Sequence, residues 1–110
     1  MKTTDYNGWT NYATWRIQLE LADDYVTGMF DGEDDWLKEQ REMSVTDMAD
    51  CIKDYVYEIL ELNVSDDDFE HGLVKSYASA FLDEVNWYEL GKHAIDALQE
   101  DYKYKQLTEV

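Results

Sequence analysis

Apolar side chains recur every three to four positions along most of the chain, which is the spacing of an amphipathic helix. The first such pattern follows Thr10 or Asn11, either of which can cap a helix. Its apolar positions are Tyr12, Trp15, Leu19, Ala22 and Val26, widened by Ile17, Leu21 and Tyr25. Residues 15–21 also alternate between apolar and polar like a strand, but the helical spacing continues beyond Leu21. The pattern therefore favours a helix that lies centrally in the core.

Residues 27–33 predict a turn because they include two glycines, and a short helix over 34–42 follows, led by acidic residues that suit a helix N-terminus. The clearest helix covers residues 44–63. It opens with a capping box at Ser44, in which Asp47 takes the place of the usual glutamate. Its apolar stripe consists of Val45, Met48, Ile52, Val56 and Ile59.

Two more helices complete the pattern. Ser65 can cap the first of them, whose opening turn holds three aspartates. The buried face predicted for this helix consists of Phe69, Leu73, Tyr77, Ala80 and Phe81. Asn86 and Glu89 predict the cap of the last helix, and residues from Tyr102 onward are polar and expected to fray. The apolar positions of the last helix are Trp87, Leu90, Ala94 and Leu98.

The distribution of helix-breaking residues along the chain agrees with these helices. There is no proline, there are five glycines, and neither a repeat nor a Pro/Ser-rich linker interrupts the pattern. The sequence therefore predicts an all-α (mainly α) fold: a compact single domain of four to five helices over residues 1–110, with a short N-terminal aromatic segment.

Charge adds a functional expectation to this fold. The 110 residues include 9 Lys and Arg and 26 Asp and Glu, so the net charge is −17 at pH 7. Chains this charged are often disordered, but 45% of the residues are apolar and 15% are aromatic, which is enough for a packed core. The negative field attracts basic surfaces and opposes direct binding of nucleic acid or anionic membrane. We therefore expect a basic protein partner, without direct contact to nucleic acid or membrane.

Cysteine usage and the absence of apolar segments predict the compartment. The single cysteine, Cys51, excludes an internal disulfide and fits a reducing compartment. The first residues lack the apolar run of a signal peptide, and no stretch approaches the roughly 20 apolar residues of a membrane span. These features predict the cytoplasm.

The residue types that carry catalysis or bind metals form no recognisable constellation. No pair of carboxylates stands out as an acid and base, His71 and His93 fall on different predicted helices, and Cys51 lacks a nucleophile signature. Residues 66–72 resemble the start of a calcium loop, but its sixth position is His71 and its twelfth is Tyr77, where an EF-hand needs Gly and Glu. We expect no catalytic residue, no metal site and no cofactor, so the protein is not predicted to be an enzyme.

The residues whose arrangement suggests a function are acidic. The predicted helix over 44–63 carries a row of carboxylates, which we call the acidic row: Asp47, Asp50, Asp54, Glu58 and Glu61. At about 100° per residue the acidic row fills an arc of about 80° opposite the apolar stripe, and it extends about 21 Å. Only Lys53 on this helix can offset its self-repulsion. A second cluster is expected to extend the negative surface beyond the helix end: Asp66, Asp67, Asp68 and Glu70.

Such a row is complementary to the Lys and Arg arrays with which proteins bind the phosphates of DNA or RNA. The nine carboxylates named above are therefore the predicted partner-binding residues, and their arrangement suggests nucleic-acid mimicry. The simpler interpretation, that the helix only keeps a solvated face, stays open at this stage.

Two short motifs resemble a known family. Residues 6–15, YNGWTNYATW, are similar to the N-G-W-T-N-Y-x-T-W opening of a family of small acidic proteins of phages, plasmids and other mobile elements. Residues 85–91, VNWYELG, resemble the closing element of the same family, V-N-W-x-E-I-A, from which Leu90 and Gly91 depart. The resemblance covers both ends and only loosely the middle. It implies a mobile-element setting and no particular reaction.

Acidic DNA mimics that block restriction enzymes or CRISPR complexes come from such elements. The resemblance and the charge together predict an inhibitor of anti-CRISPR or antirestriction type that binds a basic, nucleic-acid-binding host defence protein in the host cytoplasm. The alternative is an acidic scaffold or helper of the mobile element with no inhibitory role. The motif tryptophans Trp9, Trp15 and Trp87 are expected to pack in the core, with base stacking as the other interpretation.

Overall fold

The computed structural model describes residues 8–62 and 69–108. These residues form five helices and no strand, which confirms the predicted all-α fold. Helix α1 spans residues 12–27 in three consecutive segments: Tyr12–Ile17, Gln18–Ala22 and Asp23–Thr27. The others are α2 (Asp34–Arg41), α3 (Val45–Ile59), α4 (Phe69–Leu82) and α5 (Trp87–Thr108). Within the described part, none of these helices has the length and apolar character needed to cross a membrane.

Helices α3 and α5 pack against each other at the centre of the fold. Met48, Ile52 and Val56 of α3 are fully buried, as the apolar stripe predicted, whereas Ile59 at the end of the helix is 50% exposed. The buried side chains of α5 are Leu90, Ala94, Ile95 and Leu98. Burial of each large apolar side chain contributes roughly 1.5–3 kcal/mol, so this helix pair supplies much of the core.

The backbones of α3 and α5 come into contact at Gly91. A Cβ atom at this position would lie 2.7 Å from the carbonyl oxygen of Val45 and 2.8 Å from the backbone nitrogen of Ala49. No side chain fits at such distances without moving the α3 backbone. Glycine therefore allows the two helices to approach near their N-terminal ends.

Helix α1 contains a π-helical stretch, Gln18–Ala22, that changes which side chains reach the core. The backbone N–H of Asp23 donates to the carbonyl of Gln18, five residues earlier. The buried side chains of α1 are Ala13, Thr14, Ile17, Gln18, Ala22 and Val26. The predicted face is therefore correct for Ile17, Ala22 and Val26 and wrong for Tyr12 and Leu19, which are exposed. The π-helical stretch adds one residue between the two buried groups, and a regular α-helical period cannot align both.

The side of helix α4 that was predicted to be buried faces solvent, and the other side faces the core. The predicted buried face is wrong, because these side chains are exposed: Leu73, Tyr77, Ala80 and Phe81. The side chain of Phe69 lies outside the described part. Among the described side chains of this helix only Leu82, in its last turn, is buried. The apolar faces of α1, α3 and α5 already fill the core, so α4 reaches it only through this last turn.

The last helix also continues further than predicted. The short helix over 34–42 is confirmed as α2, and the chain beyond Tyr102 stays helical to the end of α5 instead of fraying. The guanidinium carbon of Arg41 lies 3.9 Å from the ring centroid of Tyr102, and Lys105 Nζ donates to the carbonyl of Phe30 at 2.8 Å. These two contacts hold the end of α5 against α2 and the turn before it.

Candidate acidic partner-binding surface

The acidic row lies on the solvent side of α3. Ser44 caps this helix as predicted, because its Oγ accepts a 3.0 Å hydrogen bond from the backbone N–H of Asp47. The predicted exposure of the row is confirmed for all five members: Asp47, Asp50, Asp54, Glu58 and Glu61. Because the apolar stripe on the other side of α3 is buried against α5, the fold holds the row toward solvent.

The end of α3 changes the geometry of the row. The helix stops at Ile59, before the predicted end at residue 63, and Leu60 is its C-cap. Glu61 then takes a left-handed backbone conformation with φ of 57°, and the N–H of Leu62 donates to the carbonyl of Tyr57 at 2.9 Å. This is a Schellman motif, in which glycine is the usual left-handed residue. Four carboxylates therefore lie on the helix over about 16 Å, and Glu61 lies beyond its end.

No ion pair between described residues involves the acidic row. Lys53 of α3 lies over aromatic rings instead, with its Nζ 5.7 Å from the ring centroid of Tyr57 and 6.0 Å from that of Trp87. The ion pairs between described residues lie elsewhere: Arg16 with Glu20, Lys92 with Asp96, and Lys105 with Asp101. The row therefore keeps its negative field.

The second acidic cluster falls mostly outside the described residues. The proposed cap and three of the predicted partner-binding residues lie there: Ser65, Asp66, Asp67 and Asp68. Glu70 is described, and it is exposed in the first turn of α4. The extension of the row by this cluster stays a prediction.

His93 and Cys51 both have packing contacts. The ring of His93 packs edge-on against Trp9, with 5.0 Å between the centroids, and the side chain of His71 lies outside the described part. Within the described part no three His, Cys, Asp or Glu residues are grouped so that they could hold a metal ion. Cys51 is half-buried beside Tyr25, and burial, followed by the contact with Cys51, raises the pKa of the Tyr25 phenol.

The polar residues of the two sequence motifs meet in the structure. Asn11 caps α1, where its Oδ1 accepts hydrogen bonds from the backbone N–H of Thr14 at 2.9 Å and from the Thr14 hydroxyl at 2.7 Å. Its Nδ2 donates to the carbonyl of Glu84 at 2.8 Å. The hydroxyl of Thr14, which is fully buried, also accepts a 2.8 Å hydrogen bond from the backbone N–H of Asn86, 72 positions away. These bonds join the start of α1 to the start of α5.

Asn86 caps α5 and closes the same set of hydrogen bonds. Its Oδ1 accepts from the backbone N–H of Glu89 at 3.0 Å, and its Nδ2 donates to the hydroxyl of Thr10 at 3.3 Å. The carboxylate of Glu89 accepts from the backbone N–H of Thr10 at 3.1 Å. In an ordinary capping box, the Glu89 carboxylate would accept from the backbone N–H of the cap residue, Asn86. Here the hydroxyl of Thr14 accepts from that N–H instead. We call the following residues the cap network: Thr10, Asn11, Thr14, Asn86 and Glu89.

The motif tryptophans are less buried than predicted. Trp9, Trp15 and Trp87 are all half-buried. Trp9 and Trp87 pack against the core, but Trp15 is not among the side chains that do so, and its ring lies beside Tyr12 with 5.7 Å between the centroids. The core-facing position in this turn of α1 belongs to Thr14. The predicted core position is therefore wrong for Trp15 and correct only in part for Trp9 and Trp87.

Comparison of the chain with protein-family models, with curated proteins and with solved structures found no match. The resemblance of the two motifs to mobile-element proteins therefore stays a prediction.

Proposed function

We propose that the protein binds a basic, nucleic-acid-binding surface of a host defence protein through the acidic row and blocks that surface by mimicking nucleic acid. The observation that supports this is a line of exposed carboxylates on α3, none of which forms an ion pair with a described residue. An inhibitor of anti-CRISPR or antirestriction type would act in this way. It would work in the host cytoplasm and would need no catalytic residue, metal or cofactor.

Mimicry of this kind depends on charge complementarity. Residues three and four apart on a helix have Cβ atoms roughly 5–6 Å apart, so α3 presents a rigid series of carboxylates. Nucleic-acid-binding proteins neutralise phosphates with Lys and Arg, and the same side chains make strong charge-assisted hydrogen bonds to Asp and Glu. The net charge of −17 adds long-range attraction to such a surface.

The acidic row also carries a cost that a purely solvated face would not need. Like charges at these helical spacings destabilise a helix by roughly 0.2–0.5 kcal/mol per pair. Glu58 lies in addition near the C-terminal end of α3, where the helix dipole disfavours a negative charge. Lysines at some of these positions would remove the repulsion and keep the helix soluble. A row with only Lys53 mixed into its helix is therefore better explained by a binding role.

A charge-removal variant tests the acidic row. Asp50→Asn, Asp54→Asn and Glu58→Gln keep the shape of α3 and remove three charges. The matched control removes three exposed charges elsewhere: Glu39→Gln, Glu42→Gln and Glu100→Gln. Wild type and both variants are used to capture proteins from a host lysate at low and high salt. The captured protein is then purified, and its binding to nucleic acid is measured with and without each variant.

We expect wild type and control to capture the same basic protein at low salt and to inhibit its binding to nucleic acid. The row variant should bind it on the order of tenfold more weakly and with less dependence on salt, because the removed charges contribute to association. Unchanged affinity in the row variant, or an equal loss in the control, would contradict the proposal. Capture of only structural or replication proteins of a mobile element would favour the alternative, an acidic scaffold or helper without an inhibitory role.

A further inference from the structure

An apolar surface on α4 stays exposed in the folded chain. Leu73, Val74, Tyr77 and Phe81 are 43%, 65%, 72% and 36% exposed. At about 100° per residue these four positions fall within an arc of about 100° on one side of the helix. The α4 helix therefore turns its apolar stripe to solvent, which is the reverse of an ordinary surface helix.

A groove of about 520 Å³ adjoins this stripe, between α1, the end of α3 and α4. Tyr12, Leu60 and Phe81 line it, and the ring centroids of Tyr12 and Phe81 are 6.3 Å apart. The charged residues in its wall, Arg16 and Glu20, pair with each other, and the hydrogen bond from Arg16 lowers the pKa of Glu20. Groove and stripe form one surface, which we call the apolar patch: Tyr12, Ile59, Leu60, Leu73, Val74, Tyr77 and Phe81.

The apolar patch is large for a chain that acts alone. Its seven side chains are between 36% and 72% exposed. At on the order of 90 Å² each they present on the order of 600 Å², which is the upper end of the roughly 300–600 Å² found for the largest apolar patch of a typical monomer, a patch that is often functional. A stable interface covers about 800 Å² per partner. The patch and a narrow rim around it therefore have the size of one half of a stable dimer interface.

Charge indicates which partner covers the apolar patch. Apart from His71, α4 carries only two charged side chains, Glu70 and Lys75, which offset each other, whereas the whole chain carries −17. A basic partner gains little attraction from so neutral a surface. Glu58 and Glu61 of the acidic row flank Ile59 and Leu60 at the edge of the patch. A second copy of this chain, which is repelled by the acidic surfaces, meets less repulsion along α4 than along the acidic row, and salt screens the repulsion from Glu58 and Glu61 at the patch edge. We infer that the apolar patch is a self-association surface through which two copies of the chain form a dimer.

A two-fold dimer suits the shape of the apolar patch. In such a contact the same surface is used by both copies, so it must be complementary to itself. The patch has a ridge, the α4 stripe with Tyr77 as its most exposed aromatic side chain, and next to it a groove. The ridge of each copy can therefore lie in the groove of the other.

The dimer does not depend on the target of the acidic row, and the two kinds of binding differ in their response to salt. Salt weakens binding of the acidic row to a basic partner, since it screens their attraction. Salt should strengthen the dimer, because it screens the repulsion between two negatively charged copies and leaves apolar contacts intact.

Light scattering coupled to size-exclusion chromatography tests the dimer at about 0.05 M and about 0.5 M NaCl. We expect a mass twice the 13.0 kDa of the chain, with a larger dimer fraction at the higher salt concentration. The variant Val74→Lys with Tyr77→Lys places two cations in the apolar patch and should be monomeric. Its control, Tyr88→Lys with Leu107→Lys, makes the same change of net charge at two exposed positions of α5 and should stay dimeric.

Circular dichroism spectra that match wild type establish that both variants fold. A wild type that is monomeric at its highest soluble concentration in high salt overturns the inference, as does a patch variant that remains dimeric. If wild type is monomeric and the patch variant fails to capture the basic protein, the patch belongs to the target interface, which also overturns self-association. Failure of the acidic-row variant to lose its partner would contradict the proposed function alone.

Discussion

Helices α3 and α4 have nearly the same length, 15 and 14 residues, and each carries an apolar stripe, but the two stripes have different surroundings. The stripe of α3 is buried at the contact with α5, where Gly91 lets the backbones touch, and its carboxylates face solvent. The stripe of α4 faces solvent, and of its described side chains only Leu82 enters the core. An apolar stripe therefore indicates that a helix needs a partner, but it does not indicate whether the same chain supplies it.

The largest expected effect separates the two helices directly. Ile52→Ala removes a fully buried side chain of α3 and should lower the free energy of unfolding by about 2–5 kcal/mol. Leu73→Ala removes a side chain of α4 that is 43% exposed and should cost about 1 kcal/mol or less in the monomer. Urea denaturation at low protein concentration, where a dimer dissociates, measures both. A loss in Leu73→Ala as large as that in Ile52→Ala would mean that α4 is packed within the monomer.

An intermediate effect is expected at the cap network, which joins the start of α1 to the start of α5 just after the end of α4. Thr14→Val keeps the shape of a buried side chain but removes the hydroxyl that bonds Asn11 and Asn86. The polar groups left without a partner should lower the free energy of unfolding by about 1–3 kcal/mol. The same exchange at the exposed Thr46 of α3 should change it by about 0.5 kcal/mol or less. Thermal denaturation compares the two, and equal melting temperatures would contradict a stabilising role for the cap network.

The smallest effect concerns the point where α3 ends. Glu61→Gly should raise the free energy of unfolding by about 0.5–1 kcal/mol, because glycine adopts the left-handed conformation at φ of 57° without a penalty from Cβ. Glu61→Gln is the control, since it removes the same charge and keeps the side chain. Denaturation curves of both variants separate backbone strain from charge. A less stable Glu61→Gly would mean that the Glu61 side chain makes a contact worth more than the strain.

The acidic row and α3 could be predicted because both follow local rules. The cap at Ser44, the apolar stripe and the carboxylates opposite it all depend on spacing within one helix, and burial of the stripe is enough to expose the row. The predicted end of the helix at residue 63 is too late, because the residue that ends it in a left-handed conformation is Glu61. Without a glycine at that position, the sequence carries no visible signal for a Schellman motif.

Features that depend on distant parts of the chain could not be predicted in the same way. Asn11 and Asn86 were predictable as separate caps. Spacing within a helix does not show that the Thr14 hydroxyl accepts from the backbone N–H of Asn86, or that the Glu89 carboxylate accepts from that of Thr10. The orientation of α4 is a similar case. Its stripe has the same period whether it is covered by its own core or by another chain.

The π-helical stretch Gln18–Ala22 makes α1 tolerant of a change in length that most helices do not accept. One group of buried side chains in α1 ends at Gln18 and the next begins at Ala22. The π-helical stretch places one residue more between these groups than a regular α-helix would need to align them. Deletion of one exposed residue within it, such as Glu20, would leave an ordinary α-helix whose two buried groups still face the core. A deletion elsewhere in α1 would rotate all later side chains by about 100°. We therefore expect a single-residue deletion in this helix to be accepted at this stretch and rejected on either side of it.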